Sequence, residues 1–333
     1  MRNPDQPPGV ELSVVVPCYN EADGLVEFYE RVSAACRQVT HDFEIVFVND
    51  GSADATWPCI LSFVERDPRV VGLNLSRNHG HQLALTAGLT HCAGNRIFII
   101  DADLQDPPEL LAPMLAAMES GADVVYGKRR SRSGDSLFKQ WTAFLFYRFL
   151  NVFTDQHIPE DTGDFRLITR RVLNVFNSMP ENHRFIRGMI AWVGFKQIPF
   201  YYDRSPRFAG ESKYTFSKMF RFALDAITSF SVRPLRVALY AAFAISGVSG
   251  LLLLYSLFAY LEHQTVRGWT SLTALILFFV AAQFLFLGLI GEYVGRLYLE
   301  TKHRPLFVLQ EVVSGRAVRR PSEEAAAAPR SPA

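Results

Sequence analysis

An α/β domain with a doubly wound, mostly parallel sheet, followed by a hairpin of two membrane-spanning helices, is the architecture this sequence predicts. Three observations carry that prediction. Short runs rich in Val, Ile and Phe alternate with helical patterns from residue 11 to about residue 210, two long stretches after residue 234 are almost free of charge, and only a short link, residues 262–268, separates them. Strands that alternate with helices of this length build strand-helix-strand units and a parallel sheet. An apolar stretch of about 18 residues or more is long enough to span a bilayer.

Taken in order, residues 12–17, 43–49, 70–74, 96–101 and 123–127 read as strands,. Helices are expected near 22–39, 54–65, 81–92 and 107–120, the last opened by Pro107-Pro108-Glu109,. Residues 1–10 are polar and proline-rich, so they read as a flexible N-terminus with no secretory signal, and residues 11–212 form the α/β domain,. Residues 213–234 read as a juxtamembrane amphipathic helix. The spans are 235–261, charged only at Arg236, and 269–296. Arg221, Arg233 and Arg236 precede the pair, Arg296, Lys302 and Arg304 follow it, and the link offers only Arg267. That bias predicts a multi-pass protein of the inner membrane with the large domain and both termini cytoplasmic. Residues 297–333 then form a cytoplasmic tail, disordered from about residue 316, where alanine, proline, serine and charge dominate,.

Residues 137–150 and 216–224 mix aromatics with isolated cations, as helices lying in the headgroup plane of a lipid bilayer do,. Gly291 and Gly295 share a small-residue spacing that allows helices to pack, and so permits a homo-oligomer,. Cys18, Cys36, Cys59 and Cys92 lack metal-ligand spacing and read as unpaired thiols in a reducing compartment,. With a formal net charge of +1, no nucleic acid is expected as a partner,.

Polar clusters fall where the strands end: Pro17-Cys18-Tyr19-Asn20-Glu21, Asn49-Asp50-Gly51-Ser52, Ser76-Arg77-Asn78 and Asp101-Ala102-Asp103. In a doubly wound sheet, ligands bind in the crevice at that edge. Residues two apart on a strand point the same way, so Asp101 and Asp103 are expected to present paired carboxylates. Such a pair suits Mg2+ or Mn2+ carrying a diphosphate, because a hard dication takes one or two carboxylates plus phosphate oxygens. A dinucleotide site would need a glycine-rich first turn, and here no glycine precedes Gly24,. Asp50 could accept hydrogen bonds from a base or ribose, or cap a helix.

Five segments in order carry a resemblance. Pro17-Cys18-Tyr19-Asn20-Glu21, Asn49-Asp50-Gly51-Ser52, residues 101–109, residues 161–167 (Asp-Thr-Gly-Asp-Phe-Arg-Leu) and residues 207–214 (Arg-Phe-Ala-Gly-Glu-Ser-Lys-Tyr) resemble glycosyltransferase family 2, in its polyprenyl-phosphate branch of bactoprenol glucosyltransferases and dolichyl-phosphate mannose synthases. The resemblance implies a GT-A fold and inverting transfer of one sugar from a nucleotide diphosphate sugar to a lipid phosphate. By position it implies that Pro17, Tyr19, Glu21 and Asp50 face the nucleoside, while Asp101, Asp103 and Gln105 hold metal and diphosphate. Asp164 matches the acidic residue that the family assigns as base. A phosphate monoester is largely ionised at neutral pH, so a base is hardly needed, and a positioning or charge-balancing role for Asp164 stays open.

The anionic acceptor, undecaprenyl phosphate by this resemblance, requires cations at the mouth of the site. Arg129, Arg207 and Lys213 are the candidates, arginine gripping phosphate bidentately and lysine acting as a point charge. UDP-glucose is the preferred donor, with GDP-mannose or an aminoarabinose derivative as alternatives. A processive polysaccharide synthase should add a QxxRW signature and more spans, and a non-catalytic scaffold should lose its carboxylates; neither pattern is present.

Overall fold

The computed structural model describes residues 10–130, 162–182, 184–203 and 268–315, with isolated residues between 240 and 255. Its first four strands are β1 (Leu12–Cys18), β2 (Phe43–Asn49), β3 (Val70–Leu75) and β4 (Arg96–Ile99). Helices α1 (Ala22–Val39), α2 (Thr56–Arg66) and α3 (His81–His91) connect them. A 3-10 turn at Pro108–Leu110 leads into α4 (Leu111–Met118), and β5 (Val124–Arg129) follows. Then come β6 (Thr162–Thr169), α5 (Arg170–Ser178), α6 (Ile186–Val193) and β7 (Gln197–Tyr202). The last elements are the long α7 (Trp269–Thr301) and β8 (Leu309–Ser314).

The eight strands form one sheet in the order β7-β5-β6-β4-β1-β2-β3-β8. Parallel pairing joins β3, β2, β1 and β4, which is the doubly wound half that the sequence pattern predicts. Every residue of β1 and β2 is buried, as strands covered on both faces must be,. On one face α1 and α4 cover Val14, Val16, Phe47 and Phe98, with Phe28 and Phe63 wedged among them. On the other, α3 lies so close that a Cβ on Gly88 would come 2.3 Å from Val15 Cγ1.

Three features correct the sequence reading. First, β5 does not sit beside β4: β6 enters between them, antiparallel to both, so the sheet is mixed on this side. A turn-and-glycine pattern identified Gly163-Asp164 but did not betray the strand around it. Second, β4 stops at Ile99, so strand alternation does not orient Asp101 and Asp103. Third, the region expected to be a tail contains β8, which pairs antiparallel with β3 and caps the sheet's edge.

Among the described residues, those up to 203 and from 305 onward form one compact unit, and 240–304 belong to a second. In the second unit α7 includes Phe278–Thr301, long and apolar enough to cross a membrane by length and composition, with an 18-residue window of mean hydropathy 1.6 and none of it buried. The first predicted span falls largely, and the two aromatic-cationic stretches and the juxtamembrane segment wholly, outside the described residues.

Candidate active site

The turns after β1 and β2 are tied to each other. Asn20 adopts a left-handed φ of 55°, and its Oδ1 accepts from Ala53 N–H at 2.9 Å while its own N–H donates to Ser52 Oγ at 3.0 Å. Thr56 Oγ1 takes the Glu21 N–H at 3.0 Å, and Asp54 caps both the Ala22 and Thr56 amides. Gly51, at φ +64°, has backbone atoms of Arg77 and Asn78 2.6 Å from where a Cβ would be, so only glycine fits this crossing,. The result is a fixed rim with Pro17 buried at the strand end and Tyr19 about half exposed above it.

Asp50 is buried on this rim, and its two carboxylate oxygens accept the N–H groups of His79 (2.7 Å) and Gly80 (2.9 Å) at the start of α3. Burial pushes its pKa up, and those two amides pull it part of the way back. Asp50 therefore shapes the loop that delivers His81 and Gln82.

Past β4, Ile100 stays in the core and the chain turns. Leu104 is buried at a left-handed φ of 58°, a strained choice for a leucine, and this lets Asp103 Oδ1 accept the Gln105 N–H at 3.1 Å,. Asp101 Oδ1 is buried and has no hydrogen-bond partner. Burial raises the Asp101 pKa to about 6; Asp164, Asp103 and Asp106 push the same way and His81 opposes them. Asp106 is buried under the Tyr202 hydroxyl, which donates to it. The Tyr202 pKa is raised, by burial first and by Asp106 second.

A second carboxylate lies on β6. Asp164 is 2% exposed, and four donor groups reach it: Arg187 Nε to Oδ1 at 2.8 Å, and Arg187 Nη2 (3.2 Å), His81 Nε2 (3.0 Å) and Gln82 Nε2 (3.2 Å) to Oδ2. Burial alone would raise its pKa, but Arg187 and His81 hold it well below the ordinary carboxylate value. Burial would likewise lower the His81 pKa, yet its bond to Asp164 and the charges of Asp101 and Asp164 lift it to about 9. His81 Nε2 also lies 3.7 Å from the unpartnered Asp101 Oδ1, so one imidazole spans both carboxylates. Gln82 Oε1 accepts the Ile186 N–H at 2.9 Å, which ties the start of α6 to the same point.

Arg166, two residues on, points to the same face of β6, is 4% exposed and donates to Gly163 O at 3.0 Å. Its pKa is lowered to about 10, chiefly by burial, with Asp164 opposing. Arg129, at the end of β5, brings Nη2 to 3.8 Å and Asp106 brings Oδ2 to 4.0 Å from the place a Gly163 Cβ would take, and its Nε is buried without a hydrogen-bond partner.

The chemistry of this crevice suits a cation on one side and an anion on the other. Among the described residues no group of three or more His, Cys, Asp or Glu side chains forms a cage. A dication that takes its remaining ligands from phosphate and water needs no cage, and the unpartnered oxygen of Asp101 is a fitting first ligand. Of the predicted residues, Pro17, Tyr19, Glu21, Asp50, Asp101, Asp103, Gln105, Arg129 and Asp164 are described and lie at or just beyond strand ends or on β6; Arg207 and Lys213 are outside the described residues. His81, Gln82, Arg187 and Arg166 were not singled out from the sequence. For the first two a signal existed, since Asn78-His79-Gly80-His81-Gln82 continues the polar cluster after β3.

The model of the family described as Glycosyl transferase family 2 matches residues 13–176. An uncharacterized glycosyltransferase of Bacillus subtilis, YkcC, is 44% identical over 303 residues, covering 91% of this chain and 94% of its own. The prophage bactoprenol glucosyl transferase homolog of Escherichia coli is 39% identical over 307 residues, 91% of this chain and 99% of its own. The bactoprenol glucosyl transferase of Shigella phage SfV is 39% identical over 305 residues, 90% and 98% of the two chains.

Proposed function

The chain belongs to glycosyl transferase family 2, and from that premise we propose that it transfers a single glucose from UDP-glucose to undecaprenyl phosphate at the cytoplasmic face of a membrane. The observation that carries the reading is the buried, unpartnered Asp101 Oδ1 at a strand-end crevice, in a chain similar over nine-tenths of its length to proteins named bactoprenol glucosyl transferase. An oxygen of the acceptor phosphate attacks the anomeric carbon from the face opposite the leaving group. The new oxygen–carbon bond forms as the bond to the β-phosphate breaks, and UDP departs with the electron pair. A dianionic acceptor has no proton to give up, so charge balances without a base.

Asp101 and Asp103 would hold Mg2+ or Mn2+, which when bound neutralises charge on the departing diphosphate. Gln105 sits with the diphosphate, and Pro17, Tyr19, Glu21 and Asp50 with the nucleoside, where the exposed Tyr19 ring offers a stacking face,. Arg129, with Arg207 and Lys213, would receive the acceptor phosphate.

The proposed membrane topology is a hairpin of two crossings, and β8 supports it. β8 hydrogen-bonds to β3, so the segments before and after the apolar region belong to one compact unit, which supports placing both on the same side of a bilayer. A crossing by α7 then requires a second crossing between residues 203 and 268, where 235–261 is the apolar stretch.

The test is transfer of radiolabelled sugar from UDP-glucose, with GDP-mannose and an aminoarabinose donor in parallel, to undecaprenyl phosphate by purified protein with Mg2+ or Mn2+. A chloroform-soluble product from UDP-glucose, lost on chelation, is the expected result. Product only from another donor would change the sugar, and no lipid product from any donor would end the reading.

A further inference from the structure

On the reading above, the acidic residue of β6 has a candidate role as a base, and its surroundings argue for another. A general base needs a lone pair within reach of the proton it removes. Asp164 spends its oxygens otherwise: Arg187 takes Oδ1, and His81, Gln82 and Arg187 converge on Oδ2. These partners come from two elements, α3 and α6, and Arg166 on β6 supplies a further buried positive charge nearby. A single carboxylate thus fastens the first turn of α3 to the first turn of α6, and Gln82 completes the link through the Ile186 amide.

What this arrangement fixes in space is the His81 ring. It is held at 3.0 Å from Asp164 Oδ2 and, on the same nitrogen, at 3.7 Å from the unpartnered Asp101 Oδ1, while the side chain stays 44% exposed toward the crevice. We infer that Asp164 is an anchoring carboxylate and not the proton acceptor of the reaction, and that it acts by positioning His81 beside Asp101, at the leaving-group end of the site, with Arg187 as its fixed counter-charge. The inference rests on the proposed transfer to a phosphate acceptor, whose attacking oxygen carries no proton. His81 and Arg187 are positioning residues in this account, and the bond-making step is unchanged: acceptor oxygen to anomeric carbon, electron pair to the diphosphate.

The experiment uses the full chain in detergent or nanodiscs, with the lipid-transfer assay first shown to work for the wild type. Variants Asp164→Asn, Arg187→Met, their combination, His81→Gln and His81→Ala are compared for kcat and for both KM values, with thermal unfolding of each. Anchoring predicts a loss of about 10- to 100-fold in Asp164→Asn, the range typical for a group that orients ligands. It also predicts that the double variant is no worse than Asp164→Asn alone, because removing both partners leaves no stranded charge. His81→Gln, which keeps a donor, should retain most of the activity that His81→Ala loses, and His81→Ala should raise the donor KM.

A loss above about 10³-fold in Asp164→Asn at unchanged KM values, multiplied further by Arg187→Met, is the signature of a base and overturns the inference. Equal effects of Gln and Ala at His81, with the donor KM unmoved, overturn it as well, and they do so even where Asp164→Asn fails to fold. A wild type that makes no lipid-linked product overturns the transferase reading and this inference with it.

Discussion

Two aspartates, one in the turn after β4 and one on β6, face the same crevice and are treated in opposite ways. Asp101 keeps an oxygen without a hydrogen-bond partner and a pKa raised to about 6, whereas Asp164 is surrounded by donors and held well below the ordinary value. Asp164 is 2% exposed, whereas the Asp101 side chain is 30% exposed and only its Oδ1 is shut away from solvent. Their partners differ as well: the first turns of α3 and α6 carry an arginine, a histidine and a glutamine to Asp164, while the charges around Asp101 are His81 and then three other carboxylates, Asp164, Asp103 and Asp106. One carboxylate is thus already neutralised by the protein, and the other keeps an oxygen that no donor reaches within hydrogen-bond distance.

That contrast can be broken by stability measurements. Removing one partner of a buried pair leaves an uncompensated charge, so Asp164→Ala should cost about 3–5 kcal/mol in chemical unfolding. Asp101→Ala removes a part-exposed carboxylate whose Oδ1 has no hydrogen-bond donor and whose counter-charge, His81, lies 3.7 Å away, so it should cost less than about 1 kcal/mol,. Equal destabilisation by both would show that the two aspartates are not differently partnered.

Activity sharpens the comparison next. Asp101→Ala, and likewise Asp103→Ala, should lower metal-dependent turnover by more than about 100-fold, beyond what an outer-sphere substitution does. The rise in melting temperature that Mn2+ plus UDP gives the wild type should vanish with it. Asp164→Ala, judged by the same shift on the protein that remains folded, should still respond to Mn2+ and UDP.

The smallest expected effect comes from an aspartate remote from the crevice. Asp67 accepts from Arg69 Nε at 2.8 Å and from the Tyr29 hydroxyl at 3.0 Å, and these contacts outweigh burial and depress its pKa. A depressed folded-state pKa means stability that is present above the unfolded value near 4 and is lost as pH falls through the folded value. Asp67→Asn should therefore cost about 1–2 kcal/mol at neutral pH, a cost that shrinks as pH falls below about 4, read from unfolding midpoints across pH.

The parallel half of the fold was legible because its strands are apolar on both faces and separated by helices with one apolar stripe. Phe43–Asn49 and Ala22–Val39 were read to the residue. The other half was harder for a physical reason. In β6 Asp164 and Arg166 alternate with Phe165 and Leu167, the pattern of a half-solvated strand, but here the charged face is buried too, since its charges satisfy one another and partners from α3 and α6. Pairing of that kind joins residues far apart in the chain, and Arg187 carries no local mark of its bond to Asp164. The carboxylates of the site were visible as a motif, while their partners required three dimensions.

Strand β8 sets an order on biosynthesis. The β3 edge of the sheet can be closed only when Leu309–Ser314 has been made, after α7 has been synthesised. Until then the nascent domain presents an unpaired strand edge, the kind of surface that invites wrong partners. Completion of the sheet thus reports that the long apolar helix has been synthesised in full, and a chain truncated before residue 309 would leave the ribosome with an open edge.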